Sequence, residues 1–294
     1  MKIFKLLLYL IVRNIRWQII KLAAKNNEII KIIKGNKMIL STSRKGADLK
    51  EHSIFKQLAL DGERESEATK ILEKIIKPGQ VIFELGANIG YYVLIETNLI
   101  GPQGKIYAIE PEPANFALLK RNVEINKLNN VQLFNIAISD QAGNFPFYVT
   151  ENSNLHSMIE PKDGEYKKVM IKTETVDEFL KGKGEINFIR MDIEGYEYNA
   201  LRGMRETLEK NPNISLFIEL HCNLIGPDKS KAILKDLRAY GFEILYLVAH
   251  DNFQRRIMGE TTVEQMSIND FCNDPRLLNK QNAFEIFFSK QNAQ

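Results

Sequence analysis

The sequence predicts an α/β fold in which helices cover both faces of a seven-stranded, mostly parallel sheet. Short apolar runs typical of buried parallel strands alternate with helical segments from residue 81 to residue 289. The first run, residues 81–85, leads through a turn bounded by Gly86 and Gly90 into the apolar start of a helix. A chain of 294 residues with 44% hydrophobic content can bury the core of such a sheet.

The pattern of residues 1–36 predicts a basic, amphipathic helical extension that precedes a larger domain at residues 37–294. Residues 1–37 hold nine Lys or Arg residues and only Glu28 as an acid, a net charge of +8. On a helix, one face holds Phe4, Leu7, Leu8, Ile11, Ile15, Ile19 and Leu22, and the other holds Lys2, Lys5, Arg13 and Arg16. We favour a helix that packs on its own domain or on a second subunit. The alternative is peripheral contact of residues 1–34 with an anionic membrane, with Trp17 near the headgroups.

The rest of the chain is mildly acidic, with 31 basic residues (40 minus 9) against 36 acidic ones (37 minus 1). This balance argues against a broad nucleic-acid groove, so we predict no nucleic-acid partner. Cys222 and Cys272 offer no disulfide framework, which favours a reducing, cytoplasmic compartment. The apolar run at residues 6–12 is too short to span a bilayer, which needs ~20 residues. In the membrane alternative, the extension takes a peripheral position at the inner face of a membrane.

The remaining elements follow from the period of the apolar residues and from glycines and prolines at their ends. We predict strands at residues 36–40, 81–85, 105–109, 131–136, 186–191, 214–218, 242–248 and 284–289, and a hairpin from 144–150 and 167–172. We predict helices at residues 54–76, with a break at Asp61-Gly62, and at 114–126, 197–210 and 230–240. Irregular residues 152–157 and 250–280 are candidates to border an acceptor.

The turn after residues 81–85 indicates a nucleotide-type cofactor, because free amides at a helix start favour a polar or anionic group. Its pattern, Glu84-x-Gly86-x-x-x-Gly90, lacks the third glycine of a dinucleotide fingerprint. Glu110 closes the next strand, where a carboxylate can accept hydrogen bonds from both ribose hydroxyls. Glu84 suits a cationic amino acid tail, and two acids would repel a diphosphate. S-adenosyl-L-methionine therefore fits better than a dinucleotide.

Several motifs together resemble the FkbM-like methyltransferase family, a branch of the class I S-adenosylmethionine-dependent enzymes. They are Gly62-Glu63-Arg64-Glu65, Phe83-Glu84-Leu85-Gly86-Ala87-Asn88-Ile89-Gly90, Glu110-Pro111, Phe188-Ile189-Arg190-Met191-Asp192-Ile193-Glu194-Gly195-Tyr196-Glu197 and Ile218-Glu219-Leu220-His221. The resemblance implies a class I methyltransferase fold and methyl transfer, usually to a hydroxyl on a glycan, lipid or polyketide-like acceptor. Glu84 stands where the family more often has Asp, which keeps the charge but lengthens the side chain.

The predicted cofactor-binding residues lie in the glycine turn and at the end of the following strand. They are Glu84, Gly86, Ala87, Asn88, Gly90, Tyr91, Glu110 and Pro111. The resemblance adds Glu65 near the cofactor pocket, and Ala137 and Ile138 where class I enzymes place the adenine ring. For Glu65 a solvated helix face is an equal alternative.

Four ionisable residues follow two neighbouring predicted strands: Asp192, Glu194, Glu219 and His221. The carboxyl ends of parallel strands bind ligands, so we predict that these residues form the catalytic end of the site. The alternative is that Asp192 caps the next helix while Glu194 or Glu219 forms a salt bridge. We interpret Glu197 as purely structural.

An alcohol acceptor must lose its proton as the new bond forms. We favour His221 as the base, with Asp192 or Glu219 orienting its ring or the acceptor hydroxyl. A divalent metal held by Asp192, Glu219 and His221 is the alternative that we do not favour.

Two other function classes stay open on the sequence. A nicotinamide-dependent oxidoreductase is weakened by the missing third glycine and by the lack of a Tyr-x-x-x-Lys pair. A non-catalytic, membrane-associated binding protein is weakened by the intact Glu84, Gly86, Gly90 and Glu110. A nucleobase N-methyltransferase is disfavoured, because no Asn/Asp-Pro-Pro-Tyr/Phe motif follows the fourth strand.

Overall fold

The structure, a computed structural model, describes residues 2–43, 53–150, 156–249, 262–278 and 283–290, with side chains from residue 9 onward. The two stretches predicted to border an acceptor, residues 152–157 and 250–280, are described only in part. Residues 152–155, and residues 250–261 and 279–280, lie outside the described residues.

The helices of the described residues are, in chain order, α1 (Lys2–Ala23), α2 (Ile54–Asp61), α3 (Ser66–Ile75), α4 (Tyr91–Ile100), α5 (Pro113–Ile125), α6 (Val176–Phe179), α7 (Glu197–Arg202), α8 (Arg205–Lys210), α9 (Cys222–Ile225), α10 (Pro227–Ala239) and α11 (Ile268–Cys272), followed by a 3-10 helix at Pro275–Leu278. The strands are β1 (Glu28–Ile33), β2 (Asn36–Ser41), β3 (Val81–Leu85), β4 (Lys105–Ile109), β5 (Val131–Phe134), β6 (Ala137–Ile138), β7 (Gly143–Thr150), β8 (Tyr166–Glu174), β9 (Phe188–Met191), β10 (Ser215–Leu220), β11 (Phe242–Ala249), β12 (Val263–Glu264) and β13 (Phe284–Lys290). None of the helices in the described part of the chain is long and apolar enough to cross a membrane.

The main sheet has the strand order β12-β11-β13-β10-β9-β3-β4-β5. Strands β10, β9, β3, β4 and β5 pair in parallel, and β13 runs antiparallel to both β10 and β11. The predicted seven-stranded, mostly parallel sheet is therefore confirmed, with the two-residue β12 as an additional edge strand. The chain leaves β3 towards β4 and later returns on its other side at β9. The carboxyl ends of β3 and β9 thus form the switch point where open α/β sheets bind ligands.

Apolar side chains fill both faces of the main sheet. Ile82 belongs to one apolar cluster, which includes residues of α2, α3 and α4, whereas Phe83 and Leu85 belong to a second cluster with residues of α7 and α10. Because successive side chains of a strand point to opposite faces, Glu84 lies on the same face as Ile82. The alternation therefore determines which side chains Glu84 can contact.

Several predicted boundaries move slightly. The predicted helix at residues 54–76 is split as expected, because Gly62 ends α2 in a left-handed conformation. The predicted helix at residues 197–210 is two helices that meet at Gly203, whose added Cβ would lie 2.1 Å from the Ser139 carbonyl oxygen. Strand β5 ends at Phe134, and residues 137–138 join the predicted β7–β8 hairpin in a separate three-stranded sheet.

The N-terminal segment is helical over only part of residues 1–36. Helix α1 ends at Ala23, and residues 28–33 form β1, which pairs antiparallel with β2. The prediction of a helix through this stretch is wrong because Ile29, Ile30, Ile32 and Ile33 are β-branched and favour a strand. Lys34-Gly35, with φ of 47° and 87°, supplies the tight hairpin turn. The predicted strand at residues 36–40 is confirmed as β2.

The inner face of α1 packs on the domain. Trp17 is 1% exposed and belongs to the apolar cluster that contains Ile82, as does Ile33. Arg13 Nη1 lies 2.6 Å from a carboxylate oxygen of Asp61 at the end of α2. Packing of the helix on its own domain is therefore confirmed for this face, and the prediction that Trp17 lies near headgroups is wrong. The domain boundary at residue 36 stays a prediction, although Trp17 and Ile33 share a core with the domain.

Candidate active site

The glycine turn is shaped by the neighbouring strand end. Gly86 has a φ of 82°, and a Cβ added to it would lie 1.8 Å from the backbone oxygen of Asp192. Gly90, with a φ of 94°, precedes α4 in the same left-handed region. Glycine is needed at both positions because side chains rarely adopt this conformation. Close packing against β9 thus brings Asp192 beside the turn.

The backbone N–H groups of residues 86–90 all donate within the chain. Gly86 and Ala87 donate to the Ile109 carbonyl (3.0 and 2.9 Å), Asn88 to Glu110 Oε2 (2.7 Å), Ile89 to Asn88 Oδ1 (2.8 Å) and Gly90 to the Ala87 carbonyl (2.8 Å). The amides of the turn itself are therefore used within the chain, and the predicted free amides at the helix start, from Tyr91 onward, stay a prediction. A diphosphate would find no donor in these five groups, whereas a ligand that needs only the strand-end carboxylates is accommodated.

Glu110 is held in place at the end of β4. Its Oε2 accepts the N–H of Asn88, and its Oε1 accepts the N–H of Glu112 at 2.9 Å. Burial is the main reason that the pKa of Glu110 is raised to about 7, although the two backbone donors act in the opposite direction. Each oxygen keeps a further lone pair, so the carboxylate can still accept hydrogen bonds from a ribose.

The side chain of Glu84 lies between β3 and the helices that cover this face of the sheet. Its carboxylate is fully buried, accepts a hydrogen bond from Arg190 Nη1 at 2.8 Å and interacts with Glu96 of α4. Burial raises the pKa of Glu84, and Arg190 opposes that shift. Strand alternation directs the side chain to the face that carries α4, and its contact with the cationic tail of a cofactor stays a prediction.

Arg190 connects Glu84 to the site. Its Nη2 lies 3.2 Å from Asp192 Oδ2, and its guanidinium lies 3.7 Å above the centre of the Tyr92 ring. We did not single out Arg190 as a site residue. The signal was present, since a lone arginine inside a buried apolar strand requires charged partners.

Glu65 reaches the same cluster from the N-terminal end of α3. Its Oε2 accepts the hydroxyl of Tyr92 at 2.6 Å, and its Oε1 accepts Arg64 Nη2 at 2.5 Å. Tyr91 bonds the backbone of Arg64 through its own hydroxyl. Glu65 is buried, so the alternative of a solvated helix face is wrong.

His221 stands at the centre of the predicted catalytic group. Its Nδ1 lies 2.8 Å from Glu197 Oε1, while its Nε2 lies 3.4 Å from Glu194 Oε2 and 3.6 Å from Glu219 Oε1. Glu197 therefore orients the ring in place of Asp192 or Glu219, and the alternative that one of these two orients the acceptor hydroxyl stays a prediction. The interpretation of Glu197 as purely structural misses this contact, because no sequence signal links Glu197 to His221.

Carboxyl groups outnumber the single imidazole in the predicted catalytic group. Burial lowers the pKa of His221, but the charges of Glu194, Glu197 and Glu219 outweigh it and raise the pKa well above its usual value. Burial, with Glu219, raises the pKa of Asp192 to about 7 against the pull of Arg190. Burial also raises the pKa of Glu194 to about 8, although His221 opposes it. A site of this composition favours a cationic ligand.

Asp192, Glu219 and His221 also form a potential metal-binding group. Each offers one ligand atom, and these atoms lie within 4.8 Å of one another. Carboxylate oxygens and an imidazole nitrogen are ligands of divalent cations. With His221 Nε2 directed at Glu194 and Glu219, Glu197 on Nδ1 would be the outer partner that fixes a ligating imidazole.

Three non-glycine residues of the candidate site have a left-handed backbone conformation. Glu65, Asn88 and Glu194 have left-handed φ values of 46°, 49° and 50°. Asn tolerates this region, but Glu adopts it at a cost, so its surroundings must enforce it. At Glu194, Ser157 Oγ donates to the backbone carbonyl at 2.7 Å, which ties the chain beyond β7 to the catalytic end.

A family model described as the methyltransferase FkbM domain matches residues 84–244, more than half of the chain. The chain belongs to the FkbM methyltransferase family. The matched segment runs from Glu84 through His221 and so contains the turn, Glu110 and the whole catalytic group.

Named relatives agree with this membership. The chain is 27% identical over 158 residues to 2-O-methyltransferase NoeI of Sinorhizobium fredii, covering 48% of this chain and 64% of that protein. It is 24% identical over 172 residues to hexuronic acid methyltransferase AglP of Haloferax volcanii, covering 58% and 67%. The chain thus spans less than two thirds of the length of NoeI. A crystal structure of methyltransferase FkbM from Methylobacillus flagellatus KT aligns over 79% of this chain and 52% of that chain, with 14% identity and a TM-score of 0.43.

In this FkbM family member, most predicted site residues converge. Asp192, Glu194, Glu219 and His221 meet at the ends of β9 and β10. The Pro111 carbonyl accepts a hydrogen bond from Asn135 just before Ala137 and Ile138, which are buried in β6. The individual cofactor contacts of Pro111, Ala137, Ile138 and the turn residues stay predictions.

Proposed function

We propose that the chain is an S-adenosylmethionine-dependent methyltransferase that methylates a hydroxyl group. Membership of the FkbM family supports methyl transfer, and the name of one relative, a hexuronic acid methyltransferase, supports a sugar-type acceptor. The observation that carries the proposal is Glu110, a buried carboxylate fixed at the end of β4 by two backbone donors. A carboxylate at this strand end can accept hydrogen bonds from ribose hydroxyls, which supports the proposal.

The residues present fit this cofactor better than a dinucleotide. S-adenosylmethionine supplies an activated methyl group on a cationic sulfur and carries no phosphate. The acid-rich cluster of Glu65, Asp192, Glu194 and Glu219 complements a cation, and the amides of residues 86–90 are already used. A nicotinamide dinucleotide would bring a diphosphate close to these acids and to a turn whose amides at residues 86–90 are already used.

His221 is the residue that we propose to accept the proton of the acceptor hydroxyl. Glu197 occupies Nδ1 and leaves Nε2 on the side of Glu194 and Glu219. Positive charge entering the pocket lowers the pKa of His221, because it takes up part of the negative potential that holds the proton. The neutral ring needed for base catalysis is therefore favoured when the site is filled.

The acceptor that we propose is a hydroxyl on a glycan, lipid or polyketide-like molecule. Relatives named for a 2-O-position, a hexuronic acid and 31-O-demethyl-FK506 support this class. Alignment of the reacting atoms provides most of the rate gain in such a transfer, so the acceptor pocket must hold the hydroxyl beside His221.

Titration calorimetry with S-adenosylmethionine, its demethylated product and NAD tests the cofactor assignment. We expect binding of the first two and no heat with NAD. Binding of NAD with an affinity equal to that of S-adenosylmethionine would overturn the assignment.

A further inference from the structure

The outer face of α1 is an apolar stripe that the domain leaves uncovered. Ile11, Ile15, Ile19 and Leu22 are 55%, 55%, 59% and 88% exposed. Their spacing of four, four and three residues places them along one side of the helix. Isolated exposed apolar residues are ordinary, but a continuous row of four marks an interaction surface.

The described residues of the domain contact the opposite face of α1 and leave this stripe exposed. Arg13 Nη1 lies 2.6 and 2.7 Å from the two carboxylate oxygens of Asp61. Lys56 Nζ donates to Asn14 at 2.7 Å, and Arg16 Nη2 donates to the Leu60 carbonyl at 3.0 Å. Trp17 is buried between these contacts. The stripe is therefore open to a partner outside the described part of the domain.

The charge of the segment indicates which partner. Residues 1–37 carry a net charge of +8. Two copies of so basic a segment repel each other, whereas a surface of anionic phospholipid attracts it. The adjoining hairpin adds Ile30 and Ile32 as exposed apolar residues and Lys25 as an exposed basic one.

We propose that the outer face of α1 lies in the plane of an anionic phospholipid surface while its inner face stays docked on the domain. The four apolar residues enter the boundary between headgroups and acyl chains, and exposed basic residues such as Lys25 meet lipid phosphates. The surface binds as part of the folded domain rather than as a free anchor. This inference is independent of the proposed methyl transfer.

Vesicle sedimentation of the full chain tests the proposal. We expect binding to vesicles that contain phosphatidylglycerol, weaker binding to pure phosphatidylcholine vesicles, and release by high salt. The double variant Ile15→Glu/Ile19→Glu should lower partitioning by at least about tenfold, because it removes two inserting side chains and adds two repelled charges. Met170→Glu is the matched control, since Met170 is 61% exposed in β8. It should leave binding within about twofold.

The melting temperature of each variant and the solution mass of the chain complete the experiment. All substituted residues face solvent, so unchanged melting temperatures are expected. Full-chain protein that fails to bind anionic vesicles overturns the proposal. So does a dimer that the Ile15→Glu/Ile19→Glu variant converts to monomer, because a second copy would then cover the stripe. Equal loss of binding in Met170→Glu would also overturn it, since the effect would then come from charge alone.

Discussion

His221 Nδ1 lies 2.8 Å from Oε1 of Glu197, a fully buried carboxylate 24 residues earlier in the chain. The same oxygen accepts the N–H of Gly195 at 2.9 Å. Glu197 therefore joins the imidazole at the end of β10 to the turn after β9. One carboxylate thus sets both the orientation of the ring and the course of the strained loop that carries Glu194.

Replacement of Glu197 by Ala should lower the free energy of unfolding by about 1.5–3 kcal/mol, because hydrogen bonds to a buried charged group are lost. Glu197→Gln should lose less, since its carbonyl oxygen can still accept. Urea unfolding measures both. Glu209→Ala is the control, because Glu209 is an exposed residue paired only with Arg205 on the same helix, and it should stay within about 0.5 kcal/mol of the wild type.

Replacement of Glu110 by Ala should weaken S-adenosylmethionine binding by about tenfold or more, because charge-assisted hydrogen bonds contribute about 1.5–3 kcal/mol each. Calorimetry measures the change. Wild-type affinity in Glu110→Ala would refute the ribose assignment. The variant should remain folded, which far-ultraviolet circular dichroism checks.

The affinity for this cofactor should depend on pH through Glu110. Its pKa of about 7 in the folded chain lies above the ordinary 4.5, so the carboxyl is partly protonated at neutral pH. Ribose hydroxyls donate to the ionised form, and binding therefore releases a proton below about pH 7. Affinity should fall as the pH drops from 8 to 6 and level off above about pH 8, where Glu110 is almost fully ionised. Glu112, the other acid beside it, already accepts the Asn115 N–H, so a slope that persists in Glu110→Ala would assign the dependence elsewhere.

Two left-handed glycines with different surroundings, Gly86 and Gly184, allow a steric test. In Gly86→Ala the new Cβ meets the Asp192 backbone oxygen at 1.8 Å, so we expect a loss of more than about 4 kcal/mol of folding free energy or no soluble protein. Gly184 has a similar φ of 85° but nothing within 4 Å of an added Cβ. Gly184→Ala should therefore cost only about 1–2 kcal/mol, the conformational term alone. Equal losses in the two variants would show that packing against β9 is unimportant.

Base and metal mechanisms make different predictions for the catalytic end. If His221 is the base, His221→Ala should lose methyl transfer by about a hundredfold or more, and the wild type should ignore EDTA. If Asp192, Glu219 and His221 hold a cation, EDTA should abolish turnover, and Mg²⁺ or Mn²⁺ should restore it. The assay compares wild type, His221→Ala and Asp192→Asn with a glycan acceptor, with and without chelator. Turnover like that of the wild type in both variants would exclude these residues from the mechanism.

The two faces of α1 should respond differently to truncation. Trp17→Ala should cost about 3–5 kcal/mol, because Trp17 is a buried member of the core. Leu22→Ala should change stability by less than about 0.5 kcal/mol, because Leu22 is almost fully exposed. Urea unfolding of the two variants decides whether α1 belongs to the folded domain. Similar midpoints would contradict the docking of α1.

Apolar periodicity was sufficient to predict the sheet, since buried strands such as β3 and β9 are short apolar runs and their order follows from βα connections. The left-handed glycines and the acids at strand ends were equally visible, because turn geometry and strand polarity are local properties. The meeting of Asp192, Glu194, Glu219 and His221 followed from these two facts together.

The features that the sequence did not predict have a common physical origin in contacts between distant parts of the chain. Which face Glu84 occupies, and that Arg190 pairs with it, depends on the strand register and on α4 above it. The bond between Glu197 and His221 depends on how α7 leaves β9. At the N-terminus, Arg13 and Trp17 form the inner face because Asp61 and the α2 surface receive them, which no helical projection of residues 1–22 can reveal.

Strand β13 lies between β10 and β11, although both precede it in the chain, and it pairs with each of them. During synthesis on the ribosome, β10 therefore waits with one open edge until residues 284–290 emerge. Glu219, paired in register with Glu285, is on that edge, and His221 lies two residues further along the chain. Assembly of the predicted catalytic end is consequently a late event in biogenesis. A nascent chain interrupted before β13 carries every predicted catalytic side chain but lacks the strand that pairs with β10 beside them.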